Sequence, residues 1–320
     1  MRLAPFLGAL LYCTTALAQS HIVTDSVGRE VELPEAPARI VSLNEPLLTT
    51  PMLELGLPVV GSYGRLDGGE TFHAVDFAKR ALGSKIDVSK IGGIGLAGNI
   101  DVEKIRALKP DVIVGTESNT SLVQSLSTIA PVYLQKSRTS DVQGVSSERD
   151  LAALFGKTDV FDQLWSGYQA RLDTIRASLP ANPESQTYLG IIILDQLAMI
   201  GDISGAVQAI NDLGYKRYDI ESDGERSGYG KGFAIPISSE MFARLNPDLL
   251  ILMNSYVVAE QGEEAIRARL DAIVPGWDRF LKPEKEGRVL FLDAPSVVTP
   301  TLSSAHNLLD ALEDWAESKK

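Results

Sequence analysis

From Arg39 onward the chain alternates short β-branched apolar blocks with stretches of helical spacing. Ile40-Val41-Ser42-Leu43 reads as a buried strand, Pro46 to Leu55 as a helix ended near Gly56, and Val59-Val60-Gly61 as a second short strand. Phe72 to Leu82 and Val102 to Leu108 follow as helices, Val112-Ile113-Val114 as a strand, Leu122 to Ile129 as a helix and Pro131 to Leu134 as a strand. The alternation restarts after Pro183, with strands at Thr187 to Leu194, Leu249 to Leu252 and Val289 to Leu292. Ala206 to Leu213, Ser239 to Leu245 and Leu302 to Ala316 read as its helices. Unbroken apolar strands separated by helices predict α/β layering around mainly parallel sheets, because such strands are covered on both faces.

Between the two halves, Phe161, Leu164, Tyr168, Leu172, Ile175 and Leu179 are spaced by three and four. That spacing predicts one amphipathic helix over Asp159 to Leu179, about 20 residues and roughly 30 Å long. Pro180-Ala181-Asn182-Pro183 stops it. Two readings follow: a stiff strut joining two lobes that open and close little, or a core helix of one large domain. The two-lobed reading divides the chain into residues 19–157, an interlobe helix at 158–180, and residues 181–320.

A block near residue 100 recurs near residue 237. Ile100-Asp101-Val102-Glu103-Lys104-Ile105-Arg106-Ala107-Leu108-Lys109-Pro110-Asp111 shares its isoleucine, glutamate, leucine, proline and aspartate with Ile237-Ser238-Ser239-Glu240-Met241-Phe242-Ala243-Arg244-Leu245-Asn246-Pro247-Asp248. Each block runs into an apolar strand, which suggests two lobes of similar build. Asp101 and Ser238 are good helix N-caps and place Glu103 and Glu240 in the first turn, where a carboxylate complements the helix dipole. Either the glutamates serve only that end, or each lobe presents one carboxylate on the same outer side.

Residues 1–18 carry one basic residue, Arg2, then an apolar stretch closed by Ala16-Leu17-Ala18. That pattern reads as a cleavable signal peptide and implies export; the span is short of the roughly 20 apolar residues a bilayer needs. The single cysteine, Cys13, falls inside it, so the exported chain is expected to have no thiol chemistry. With 44% hydrophobic and 22% charged residues the remainder is globular. A formal net charge of −12 argues against nucleic acid, which binds basic patches.

Catalytic and metal motifs are weak. Gly93-Ile94-Gly95-Leu96-Ala97-Gly98 matches G-x-G-x-x-G, with Glu117 at a dinucleotide-like distance, but the segment before it is short and polar rather than a substantial strand. A nucleotide-dependent oxidoreductase is the alternative that this motif keeps open. His21, His73 and His306 lack metal-ligand spacing. Neither G-x-S-x-G nor H-E-x-x-H is present, and Gly228-Tyr229-Gly230-Lys231 lacks the first glycine of a P-loop. No enzymatic activity and no cofactor are expected.

Val23-Thr24-Asp25-Ser26-Val27-Gly28-Arg29-Glu30-Val31-Glu32-Leu33-Pro34, followed by Pro37-Ala38-Arg39-Ile40-Val41-Ser42-Leu43, resembles the opening of periplasmic ABC-importer binding proteins for ferric siderophores, cobalamin and haem. The repeated E-x-[IF]-x-x-L-x-P-D blocks resemble that family's pattern in both lobes. The resemblance implies two α/β lobes flanking a ligand cleft, with a rigid helix behind. It further implies that Glu103 and Glu240 dock into arginine pockets of a dimeric inner-membrane permease served by an ATPase. A soluble, monomeric periplasmic protein that binds a ferric siderophore is the expected member, with cobalamin or haem as alternatives.

Ligands of open α/β sheets bind beyond the carboxyl ends of the strands. That rule gives Asn44, Glu45, Tyr63, Arg65, Thr116, Glu117 and Ser118 in the first half. In the second it gives Arg226 and Tyr229, in the loop Ser222 to Gly232, and Asn254, Ser255 and Tyr256. Bulky, often anionic chelates with flat rims favour arginine and tyrosine. Tyr63, Arg65, Arg226, Tyr229 and Tyr256 are therefore the expected ligand contacts.

Overall fold

The computed structural model describes residues 19–65, 76–96, 99–137, 142–218, 234–256 and 258–319. The signal peptide expected at residues 1–18, and the expected contacts Arg226 and Tyr229, lie outside them. The described chain opens with a hairpin, β1 (Ser20–Thr24) and β2 (Glu30–Pro34). In its turn Asp25 accepts hydrogen bonds from the Val27 and Arg29 amides, and Gly28 supplies the positive φ of 81° that an L side chain would resist.

The first sheet contains β3 (Ile40–Ser42), β4 (Val59–Ser62) and β5 (Gly92–Gly93). Beyond a two-residue antiparallel pair, β6 (Gly95–Leu96) with β7 (Asn99–Ile100), come β8 (Val112–Thr116) and β9 (Val132–Gln135). Its order is β5-β4-β3-β8-β9, parallel throughout. The second sheet contains β10 (Thr187–Ile193), β11 (Leu197–Ile200), β12 (Lys216–Arg217), β13 (Ala234–Pro236), β14 (Leu249–Asn254) and β15 (Val289–Leu292). Its order is β13-β11-β10-β14-β15, with β12 parallel to the first two residues of β10. Only β11 runs against the others, pairing antiparallel with β10 on one side and with β13 on the other. Read in chain order, β4-β3-β8-β9 and β12-β10-β14-β15 follow one plan: second, first, third, fourth. The repeated sequence block is thus the crossover into the third strand of this shared plan, β8 in one half and β14 in the other.

Period-two alternation divides the core. Val112 and Val114 pack into a large central cluster, whereas Ile113 joins a separate outer layer with Val41, Ile105 and Leu134. In the second sheet Ile251 and Met253 face the central cluster, and Leu250 and Leu252 face an outer layer with Phe242, Ile266 and Trp277. The central cluster runs without a break from Leu48 and Met52 of the first half to Ile210 and Leu308 of the second. A large apolar junction of this kind resists rigid-body motion of one half against the other.

The central helix spans Thr158–Ser178, 21 residues, and buries Phe161, Tyr168, Leu172 and Ile175. Tyr168 Oη donates to Asp212 at 2.7 Å, and Arg171 bridges to Asp310 and Glu313 on the Leu302–Glu317 helix. It packs on the preceding Ser146–Leu154 helix, where Arg149 lies over the Phe161 ring, and on the Leu302–Glu317 helix of the second half.

Several expected elements change. Leu122 to Ile129 is a tight turn, Glu117–Leu122, followed by the single helical turn Val123–Leu126. Ser239 to Leu245 shortens to Ser239–Phe242. Of Phe72 to Leu82, the described part is helical from Phe77. Strands β11 and β13 and the helices Ser146–Leu154 and Glu263–Ile273 add to the pattern. The first helix buries Ser147 and Glu148, so its inward face does not read as apolar in sequence.

Candidate functional site

The carboxyl ends of the two sheets converge on a cavity of about 240 Å³ between the halves. After β3 come Asn44 and Glu45; Asn44 caps the following turn by accepting from the Leu47 amide at 2.9 Å. After β4 comes Tyr63, whose amide donates to Ser42 O at 2.9 Å and fixes the strand's exit toward the cavity. Tyr256 follows β14 in the opposite half. Its loop is buckled from beneath. Gln261 Nε2 donates to the carbonyls of Ser255 and Val258, both at 2.8 Å, and Asn254 Nδ2 donates to Glu260 O at 2.9 Å. Tyr256 also packs on Phe77 across the cavity, ring centroids 5.8 Å apart. Asn254 and Ser255 are buried and support the loop rather than line the cavity.

Two of the expected contacts, Tyr63 and Tyr256, are thus brought together from opposite halves. Arg65 is placed differently. Its side chain is 0% exposed and does not line the cavity. Nη2 pairs with Glu45 at 2.7 Å and with Asp76 at 2.8 Å, and Nη1 reaches Asp76 at 3.2 Å. Asp76 in turn caps the Phe77–Leu82 helix through the Lys79 amide. Arg65 therefore braces the cavity wall from behind, and its partner Glu45 is the carboxylate that borders the cavity among the described residues. Burial pushes the Glu45 carboxyl up to about 7, opposed by the neighbouring Arg65 charge. The remaining wall is apolar, with Pro46, Leu47, Phe77, Ile192, Ile200 and Ile203 prominent. Sequence patterning could not separate these from ordinary core residues.

A second recess adjoins the first at the strand ends of the first half and shares Asn44, Leu47 and Tyr63 with it. Thr116, Ser118, Asn119 and Ser137 line it. Glu117 turns away, accepting from the Ser137 amide and hydroxyl at 2.7 Å each.

Glu103 and Glu240 open the turns Val102–Ala107 and Ser239–Phe242, capped by Asp101 and Ser238 through the Lys104 and Met241 amides. Their side chains are 82% and 77% exposed, each beside an arginine three or four residues on, Arg106 and Arg244. A crossover helix starts on the carboxyl-end side of its sheet, so each glutamate belongs to the rim on which its half's cavity walls lie.

The G-x-G-x-x-G segment does not build a dinucleotide site. Gly93 ends β5, Gly95-Leu96 pairs antiparallel with Asn99-Ile100, and the helix starts only at Val102, whereas the fingerprint needs a strand turning directly into a helix. Ala97 and Gly98 lie outside the described residues. His306 stacks edge-on against Tyr168. Among the described residues no three histidine, cysteine or acidic side chains gather to hold a metal, and no helix is long and apolar enough to cross a membrane.

The chain is 25% identical over 243 residues to the ferric-anguibactin-binding protein FatB of Vibrio anguillarum, covering 73% of this chain and 72% of that protein. Its fold is shared with holo-ViuP (TM-score 0.70, 18% identity, 93% of this chain and 97% of the other). It is shared equally with Staphylococcus aureus SirA complexed with staphyloferrin B (TM-score 0.68, 19% identity, 93% and 98%). The pattern of the periplasmic binding protein family matches residues 66–294. With two sheets of one plan facing a shared cavity and no dinucleotide site, the chain belongs to the periplasmic binding protein family, a family of carriers and not of enzymes.

Proposed function

We propose that this protein is the periplasmic carrier of an ABC importer that takes up a ferric siderophore. The ligand sits between the halves, against Tyr63 and Tyr256, and is handed to a dimeric permease with its ATPase. The observation that supports this most is the pair of tyrosines facing one cavity from opposite halves, each on a loop at the carboxyl end of its sheet. A tyrosine gives a flat apolar face and a hydroxyl, which suits the rim of a metal chelate. The ligand of the relative FatB, a ferric siderophore, is of the same class.

The protein is exported by its signal peptide at residues 1–18 and works as a monomer, one lobe at 19–157 and the other at 181–320, joined by the helix at 158–180. Glu103 and Glu240 contact the permease. A two-lobed monomer offers two acids to a two-fold basic mouth, and such charges set orientation and encounter rate. Tryptophan and tyrosine fluorescence during titration with ferric chelates tests the binding step. Saturable quenching by a ferric chelate and none by NAD(P) or an iron salt is the expected result; NAD(P) binding would refute it.

A further inference from the structure

We propose that the cavity selects a ferric chelate bearing no net negative charge, and that Glu45 is the residue that turns anionic chelates away. This rests on the ferric-chelate reading above and narrows the class of ligand. Three observations carry it. First, Glu45 and the two tyrosines are the ionisable side chains among the described residues that line the cavity, and no lysine or arginine is among them. Second, described cations beside the lining are already paired: Arg65, fully buried, is shared between Glu45 and Asp76, and Arg217, which reaches the Gly201 carbonyl, pairs with Asp202. Third, the adjoining recess is lined, among the described residues, by uncharged side chains such as Asn99, Thr116, Asn119 and Ser137.

A multiply charged anion entering this space would lose its water against an apolar wall and a carboxylate, with no cation among the described lining residues to replace that solvation. An uncharged chelate loses far less, and a cationic one gains from Glu45. Binding sites commonly discriminate through such an unfavourable contact with the wrong partner. The rise in the Glu45 carboxyl to about 7 has a related origin: burial strips solvation from its charged form, and the Asp76 charge adds a smaller push in the same direction. Protonated, Glu45 can also donate to a chelate oxygen, so a neutral ligand is met in either state.

The test is calorimetric titration of the purified protein with three ferric chelates of graded charge: a trianionic tris-catecholate, a neutral trihydroxamate and a monocationic trihydroxamate. The neutral or the cationic chelate is expected to bind at least about tenfold more tightly than the trianion. Glu45→Gln is expected to narrow that gap by strengthening the trianion. Arg226 lies outside the described residues, so Arg226→Ala is titrated in parallel and is expected to leave the ranking unchanged. Tightest binding of the trianion by the wild-type protein overturns the proposal, whether or not Arg226→Ala weakens it. Failure of all three chelates to bind refutes the ferric-chelate reading itself, a different result from an inverted ranking.

Discussion

Asp111 and Asp248 make the same bond in the two halves. Asp111 Oδ2 accepts from the amides of Ala38 and Arg39, at 2.7 and 2.9 Å, just before β3. Asp248 Oδ2 accepts from the amide and hydroxyl of Thr187, both at 2.8 Å, where β10 begins. Each aspartate closes the repeated block, so each pins the third strand of its sheet to the first. Alanine at Asp111 releases two backbone amides and at Asp248 one, and Asp111→Ala and Asp248→Ala should each lower stability by about 0.5–1.5 kcal/mol. They share no partner, so the double variant should lose roughly the sum in urea unfolding.

A second pair joins distant parts of the chain at the start of the Leu302–Glu317 helix. Glu54 Oε1 accepts from the Ser303 amide at 2.8 Å, and Glu148 Oε2 accepts from the Leu302 amide at 3.0 Å. Their other oxygens are buried without hydrogen-bond donors among the described residues, an arrangement suited to one shared proton. Burial, then the neighbouring Glu54 charge, raises the Glu148 carboxyl well above its ordinary 4.5. The folded state therefore holds more protons than the unfolded chain, and stability falls as pH rises from about 4.5 toward the folded value, by at most about 1.4 kcal/mol per pH unit for this proton. Glu45, pushed up to about 7, adds a slope of the same sign below that pH. Urea midpoints from pH 5 to 9 should decline for the wild type and decline less for Glu148→Gln, which keeps the acceptor and removes the charge. An equal slope in both proteins would contradict the shared proton.

Tyr63→Ala and Tyr256→Ala should each weaken ferric-chelate binding by roughly 1–3 kcal/mol, about fivefold to 150-fold, with little change in melting temperature. Phenylalanine at either position should recover most of that loss if the ring face makes the contact. Calorimetric titration separates the face from the hydroxyl.

Glu103→Arg combined with Glu240→Arg should abolish chelate uptake by cells while ligand affinity stays within about twofold of wild type. Both side chains are exposed, and each pairs with an arginine three or four residues along the chain, so folding should be unaffected. Normal uptake by the double variant would remove the docking role.

Where sequence and structure agree, a local physical cause is visible. The Thr158–Ser178 helix was readable because Phe161, Tyr168, Leu172 and Ile175 recur at helical spacing and a proline-rich stop follows. The repeat was readable because cap, glutamate and Pro-Asp keep their order. Position after a strand placed Tyr63 and Tyr256 at the cavity. The same rule could not tell that Arg65 meets Glu45, 20 residues earlier, and Asp76, 11 residues later, because a buried ion cluster leaves no periodic trace. Glu54 and Glu148 meet Ser303 and Leu302 across 249 and 154 residues, beyond any local pattern. Strands β11 and β13 escaped for another reason: they are only four and three residues long, so the pairing of β11 with β10 and of β13 with β11 is set by tertiary contact.

Native mass spectrometry of the protein purified from iron-starved cells weighs the bound molecule directly. A ferric-chelate carrier gives an adduct whose mass and isotope pattern contain one iron and an organic ligand, diminished in Tyr63→Ala and in Tyr256→Ala. An adduct without iron, or one matching a nicotinamide dinucleotide, would contradict the assignment.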